Sequence, residues 1–172
     1  MGVLSIEQIN NSFPDNRYML NVIHNPNLWA EIDIATLPSP EKVKFDENIR
    51  TNMPIDIKDD KGIYMFILEP NYPFEPSIKH LVYIGRVREG ATNFSFFKRF
   101  NEYIGLIGNP NGSLNKVLLT NLWPNHTFVY FFKLDSMSDD EIAEIEDNLI
   151  KKIIPPLNSA IGGKTEQTRD LY

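Results

Sequence analysis

Two short runs decide how this chain folds: Gly62-Ile63-Tyr64-Met65-Phe66-Ile67-Leu68 and Lys79-His80-Leu81-Val82-Tyr83-Ile84-Gly85. The first is apolar almost throughout and rich in aromatic and β-branched side chains, the signature of a strand covered on both faces. It follows an Asp59-Asp60-Lys61-Gly62 turn. The second run reads as another strand, and Pro70, Pro73 and Pro76 make the ten residues 69–78 between them a loop. The spacing predicts an antiparallel pair joined by that loop.

Outward from the pair, the rest of the chain supplies helices and one further strand. Residues 93–104 place Phe96, Phe97, Phe100, Tyr103 and Ile104 on one side of a helix, and Gly105–Gly112 breaks it. A short helix is expected over 113–122 and a third strand over Thr127–Leu134. Ser138-Asp139-Asp140-Glu141 is a capping box, in which Ser138 and Glu141 satisfy each other's backbone amides. It opens a long helix that Pro155-Pro156 ends. Upstream, weakly periodic apolar positions (Ile6, Ile9, Phe13, Leu20, Ile23, Leu28, Trp29) suggest one or two helices within 5–33, and the proline-bearing stretch 37–60 reads as a connection. The expectation is an α/β chain with a small, mainly antiparallel central sheet flanked by helices. It would divide into an N-terminal extension (1–60), a domain (61–160) and a tail (161–172).

Composition bounds the chemistry. The chain has 172 residues, 42% hydrophobic and 23% charged, enough for one core without disulfides. It has no cysteine, which removes thiolate zinc sites and cysteine nucleophiles, and its three histidines (His24, His80, His126) lack ligand-like spacing. No apolar run is long enough to span a membrane, and the first residues resemble neither a secretion signal nor a myristoylation signal, so a cytoplasmic protein without membrane contact is expected. The net charge of −6 disfavours an autonomous nucleic-acid binder. It is uneven, however: residues 1–60 carry −5, residues 61–135 carry +3 and residues 136–172 carry −4. Phosphate contacts would have to fall in the middle block.

Two helical positions stand out. At about 100° per residue, Ile142, Ile145, Leu149, Ile150 and Ile153 share one face of the last helix, and Glu146 falls inside it while Glu144 and Asp147 point away. A carboxylate left unpaired there would cost about 1–3 kcal/mol. It therefore needs an arginine, a hydrogen-bond network, a metal ion, or a route to water along the edge of the face. Arg99 and Tyr103 are four residues apart, on one side of their helix at the border of its aromatic face. The planar arginine fork suits phosphate oxygens, although a solvated arginine beside a core tyrosine is equally compatible with the spacing.

Gly62-Ile63-Tyr64 followed by Tyr83-Ile84-Gly85 resembles the paired signature triplets of the GIY-YIG nucleases. The order that follows, an arginine-bearing helix and then a glutamate-bearing one, extends the resemblance over about residues 61–160. Glu146-Asp147-Asn148-Leu149-Ile150-Lys151-Lys152 with Pro156-Leu157-Asn158 is similar to the matching stretch of the nucleotide-excision-repair incision subunit. The resemblance implies that Tyr64 and Tyr83 line a catalytic site, with Tyr64 helping to deprotonate water. It implies that Arg99 binds the scissile phosphate, that Tyr103 stands where members carry histidine or tyrosine, and that Asn158 braces the site. Glu146 would hold one Mg²⁺ or Mn²⁺ ion. Arg86 sits where many members carry lysine, and with Arg88 and Lys98 it would contact the substrate.

Two departures are visible. Tyr64 and Tyr83 are 19 residues apart, where the family usually has a short hairpin, and the stretch from Gly85 to Arg99 is also long. Both insertions resemble those of restriction endonucleases in the family. The loops they form, with Asn71, Tyr72, Phe74, Lys79, Arg88 and Asn93, would allow groove contacts. The implied activity is metal-dependent hydrolysis of DNA, with RNA as a possible alternative, by a restriction-type enzyme or by the catalytic subunit of a DNA-cleaving system. A homodimer or a specificity-conferring protein partner would offset the acidic charge. The competing class is a non-catalytic nucleic-acid- or protein-binding module that keeps the fold.

Overall fold

A computed structural model describes residues 27, 30–32, 37–71, 78–87, 95–109, 111, 113–121, 123 and 125–158. Their elements run β1 (Glu41–Lys44), α1 (Ile49–Asn52), β2 (Gly62–Leu68), β3 (His80–Val87), α2 (Phe96–Ile104), α3 (Leu114–Asn121), β4 (Thr127–Lys133) and α4 (Asp139–Ile153). The strands form one antiparallel sheet in the order β1-β4-β2-β3, with helices against it. The α/β expectation holds.

The central strand β2 is buried along nearly its whole length because β4 and β3 flank it and both its faces are covered. Its alternate residues serve two cores, as the period-two geometry of a strand requires. Tyr64, Phe66 and Leu68 join Phe96, Phe100, Tyr103 and Phe131 under α2, while Ile63 and Met65 join Ile84, Phe132, Ile142, Leu149 and Ile150 under α4. Gly62 begins β2 at φ 149°, where a Cβ would stand 2.1 Å from the Phe132 carbonyl oxygen. Only glycine fits that close approach to β4.

The stretch 37–60, expected to be a connection, is part of the first core. Lys42-Val43-Lys44-Phe45 alternates with period two, and β1 pairs antiparallel with β4 as the sheet's edge. Val43, Phe45, Ile49, Met53 and Ile57 are all buried. The Phe45 ring lies 5.2 Å from that of Phe66 and 6.5 Å from that of Tyr103. The strand is only four residues long, and charged residues on its exposed positions blunt the edge, so its apolar signal is short.

Local chemistry accounts for both long helices. Ser95 accepts from the Lys98 amide (3.3 Å), and the carbonyls of Asp60 and Lys58 accept from the amides of Phe96 and Phe97, so the first turn of α2 is satisfied. In α4 the capping box forms as expected, the Ser138 amide donating to Glu141 at 2.7 Å and the Glu141 amide to Ser138 Oγ at 3.3 Å. The helix ends at Ile154, whose φ of 54° is unusual for a β-branched residue. That turn sends the chain back along β3, where the Leu157 amide donates to the Val82 carbonyl at 2.9 Å. No described helix is long and apolar enough to cross a membrane.

Candidate active site

Of the residues singled out in the sequence, Tyr64, Tyr83, Arg86, Arg99, Tyr103, Glu146 and Asn158 gather around β3, on both faces of the sheet. Tyr64 on β2 sits opposite Gly85 on β3. A Cβ at position 85 would meet Tyr64 Cζ and its hydroxyl at 2.5 Å, so the glycine makes the space in which the phenol lies across the strand. The phenol is fully buried. Arg99 Nε donates to its oxygen at 3.0 Å, and the hydroxyls of Tyr64 and Tyr103 share a hydrogen bond of 3.1 Å. The Arg99 guanidinium carbon stands 5.4 Å from the Tyr103 ring centroid. Tyr83, half-buried, tilts against Tyr64 with centroids 6.3 Å apart.

Burial dominates the acid–base character of this cluster. It pushes the Tyr64 phenol well above its ordinary range, and the neighbouring Tyr83 adds to that. The Arg99 charge and the hydrogen bonds from Tyr103 and Arg99 pull the other way without prevailing. Tyr103 is raised as well, by burial first and then by Tyr64 and Tyr83. In the free protein both phenols are therefore neutral at physiological pH. The cation that a phenolate base would need is in place, but its effect is outweighed.

On the opposite face, Arg86 leaves β3 toward α4. Its Nη1 donates to Glu146 Oε2 at 2.5 Å and to the Ala143 carbonyl at 3.5 Å. The Glu146 side chain is 14% exposed, among the isoleucines and leucines of α4, while Glu144 and Asp147 face outward as the helical geometry predicts. The inward carboxylate is compensated by an arginine. Even so, burial raises its pKa above the usual value, with Arg86 opposing, Asp147 adding, and Arg99 opposing through space. That last influence is the smallest of them, and Arg86 is the cation in contact with the carboxylate.

Asn158 completes the arrangement. Its Oδ1 accepts from the Ile84 amide (2.9 Å) and its Nδ2 donates to the Ile84 carbonyl (2.7 Å), so a side chain continues the sheet where β3 has no neighbouring strand. It braces the strand that carries Tyr83, Gly85 and Arg86 rather than touching the phenols. Lys98 lies on the exposed side of α2, about 100° around from Arg99. Arg88, with Tyr72, Phe74 and Asn93 of the two loops, lies outside the described residues, as do most of the 5–33 stretch expected to be helical and all of the tail 161–172.

Sequence reasoning missed two members of the network. Arg99 Nη1 also donates to Glu102 Oε2 at 2.8 Å, and Lys116 Nζ from α3 reaches the same oxygen at 3.5 Å. The i,i+3 spacing of Arg99 and Glu102 was the available signal. Lys116 had none, because only the packing of α3 beside α2 brings it there.

Among the described residues no group of three or more histidine, cysteine, aspartate or glutamate side chains converges on a metal position. The donor set nevertheless fits one hard cation. Glu146 commits Oε2 to Arg86, and its Oε1 accepts no hydrogen bond among the described residues. Mg²⁺ is commonly held by one or two carboxylates, with water and phosphate oxygens filling the rest of the shell. Neither a family model nor a curated protein nor a solved structure matches the chain.

Proposed function

We propose that the protein is a metal-dependent endonuclease of the GIY-YIG class that hydrolyses phosphodiester bonds in DNA. The observation that carries this reading is the clustering at β3. Tyr64 accepts from Arg99 and packs against Tyr83, the tyrosine of the second triplet, and an inward Glu146 paired with Arg86 occupies the other face. A structural core has no need to set an arginine on buried phenols at one face of a strand and an arginine–carboxylate pair at the other. Such groups are costly to bury and recur at functional sites.

In this reading Arg99 binds the scissile phosphate and stabilises the charge that grows on its oxygens in the transition state. Tyr64 first serves as the acceptor that aims Arg99 Nε. Its use as a proton acceptor for the attacking water requires solvent to reach a phenol that burial keeps neutral in the free protein. Tyr103 holds the second side of that phenol, and Asn158 fixes the strand beneath it. Arg86 orients Glu146 and is released toward substrate when the carboxylate takes another partner. One divalent cation on Glu146, Mg²⁺ or Mn²⁺, would polarise the phosphate and stabilise the leaving oxygen.

The acidic net charge favours a catalytic subunit that gains DNA affinity from a partner or a second copy, over an enzyme relying on its own phosphate attraction. One observation favours a second reading, a binding module without activity: the two phenols are fully buried and Glu146 is already paired. The test is incubation of the protein with supercoiled plasmid and with short single- and double-stranded DNA and RNA, with Mg²⁺, Mn²⁺ or chelator. Cation-dependent cleavage leaving 5′-phosphate and 3′-hydroxyl ends supports the nuclease. No cleavage of any substrate with either metal supports the module.

A further inference from the structure

Arg99 has two of its five N–H donors already committed. A guanidinium grips an oxyanion through two parallel N–H groups on one edge, either Nε with the adjacent Nη or the two Nη groups together. Here Nε is held by the Tyr64 hydroxyl at 3.0 Å and Nη1 by Glu102 at 2.8 Å. Nη1 and Nη2 keep further N–H groups, so a phosphate approaching the Nη1 side meets Glu102 as a competitor for that nitrogen. Tyr64 is packed among aromatic rings and does not move cheaply. Glu102 is 38% exposed and can rotate into solvent.

The surroundings of Glu102 Oε2 are those of a phosphate oxygen. It lies between Nη1 of Arg99 at 2.8 Å and Nζ of Lys116 at 3.5 Å, two cations carried by different helices. Both cations also flank Tyr103, Arg99 at 5.4 Å and Lys116 at 5.9 Å from the ring centroid. Ion pairs at partly exposed sites are weak, and a phosphate would restore contacts with both cations that Glu102 gives up, so the exchange costs little. We infer that Glu102 holds the place of a substrate phosphate on Arg99 in the free protein, and that Lys116 is the second cation of that oxyanion site. On docking, Glu102 leaves and the phosphate is shared between Arg99 and Lys116. This rests on the phosphate-binding role of Arg99 proposed above, and it adds a competitor and a binding residue to it.

The experiment uses two probes without divalent metal, inorganic phosphate and a short DNA duplex. Binding is followed by the Arg99 Nε–H nuclear magnetic resonance signal and by fluorescence anisotropy at several salt concentrations. Glu102→Gln should tighten both probes about fivefold or more, because it removes the carboxylate charge that both cations share. Lys116→Gln should weaken both and lower the slope of log affinity against log salt for the duplex by about one, with Lys116→Arg restoring it. Glu41→Gln on β1, an equal change of net charge far from Arg99, should leave phosphate affinity unchanged. The inference is overturned if Glu102→Gln binds phosphate no better than the wild type, or if Lys116→Gln keeps the full salt slope. Phosphate bound in the expected pattern by a protein that neither binds nor cuts nucleic acid would uphold the oxyanion site and defeat the nuclease. Metal-dependent cleavage untouched by either substitution would do the reverse.

Discussion

Replacing Gly85 with alanine should disable the site and destabilise the fold together. The new methyl carbon would lie 2.5 Å from both Cζ and the hydroxyl oxygen of Tyr64 and 2.8 Å from Cε2. A ring at the end of a side chain can often swing aside, but this one is held by Phe100, Tyr103, Phe66 and Tyr83, with centroids 5.2, 6.0, 6.2 and 6.3 Å away. Overpacking a core of this kind costs about 1–3 kcal/mol. Displacing the phenol also breaks its bonds to Arg99 and Tyr103, worth about 0.5–1.5 kcal/mol each. The expected loss is about 2–6 kcal/mol, which for a chain of this size lowers Tm by roughly 4–24 °C. If Tyr64 aims Arg99, a shift of about 1 Å also lowers turnover on the order of a hundredfold. Calorimetry and single-turnover cleavage on the same preparation measure both effects. A Gly85→Ala protein that melts and cuts like the wild type would refute the reasoning.

Three further outcomes follow from the same geometry. Burial raises the Glu146 pKa above 4.5, so this group contributes stability that is present below that value and lost as pH rises through its folded pKa. Glu146→Gln should therefore melt above the wild type at neutral pH, with the gap closing toward about pH 4, and a gap that widens on acidification would contradict the assignment. Asn158→Ala removes both bonds to the Ile84 backbone and should cost about 1–3 kcal/mol, read as faster hydrogen exchange of the Ile84 amide; unchanged exchange there would mean that Asn158 is not the brace. Arg99→Lys keeps the charge but cannot reach the Tyr64 phenol and a phosphate with parallel donors, so turnover should fall far more than DNA affinity, whereas equal losses would reduce Arg99 to backbone attraction.

What could be read from the chain, and what could not, follows from the range of each signal. β2, β3 and β4 announced themselves because their apolar runs are long and bounded by turn residues, and α4 because its capping box and its isoleucine stripe agree. Placing Glu146 on the buried face needed only the helical period. Its partner did not follow from any period: Arg86 meets it through the packing of α4 on β3, a contact between residues 60 apart in sequence. β1 escaped because a single alternation, Val43 and Phe45, is too short to stand out beside three nearby prolines. The burial that keeps Tyr64 neutral was equally invisible, since it is made by Phe100 and Tyr103 of α2 with Phe66 and Tyr83 of the sheet, in a core that the stretch read as a connection also fills. Burial alters the expected chemistry most, turning a presumed base into a neutral phenol that aims an arginine.

The most direct test of the central claim compares wild-type protein with Glu146→Ala for cation-dependent cleavage of supercoiled DNA, with divalent-metal affinity titrated in parallel and folding checked by thermal melting. The account predicts a folded variant that neither cuts nor binds the metal tightly, beside a wild type that does both. A folded Glu146→Ala protein that cuts DNA at the wild-type rate would contradict it.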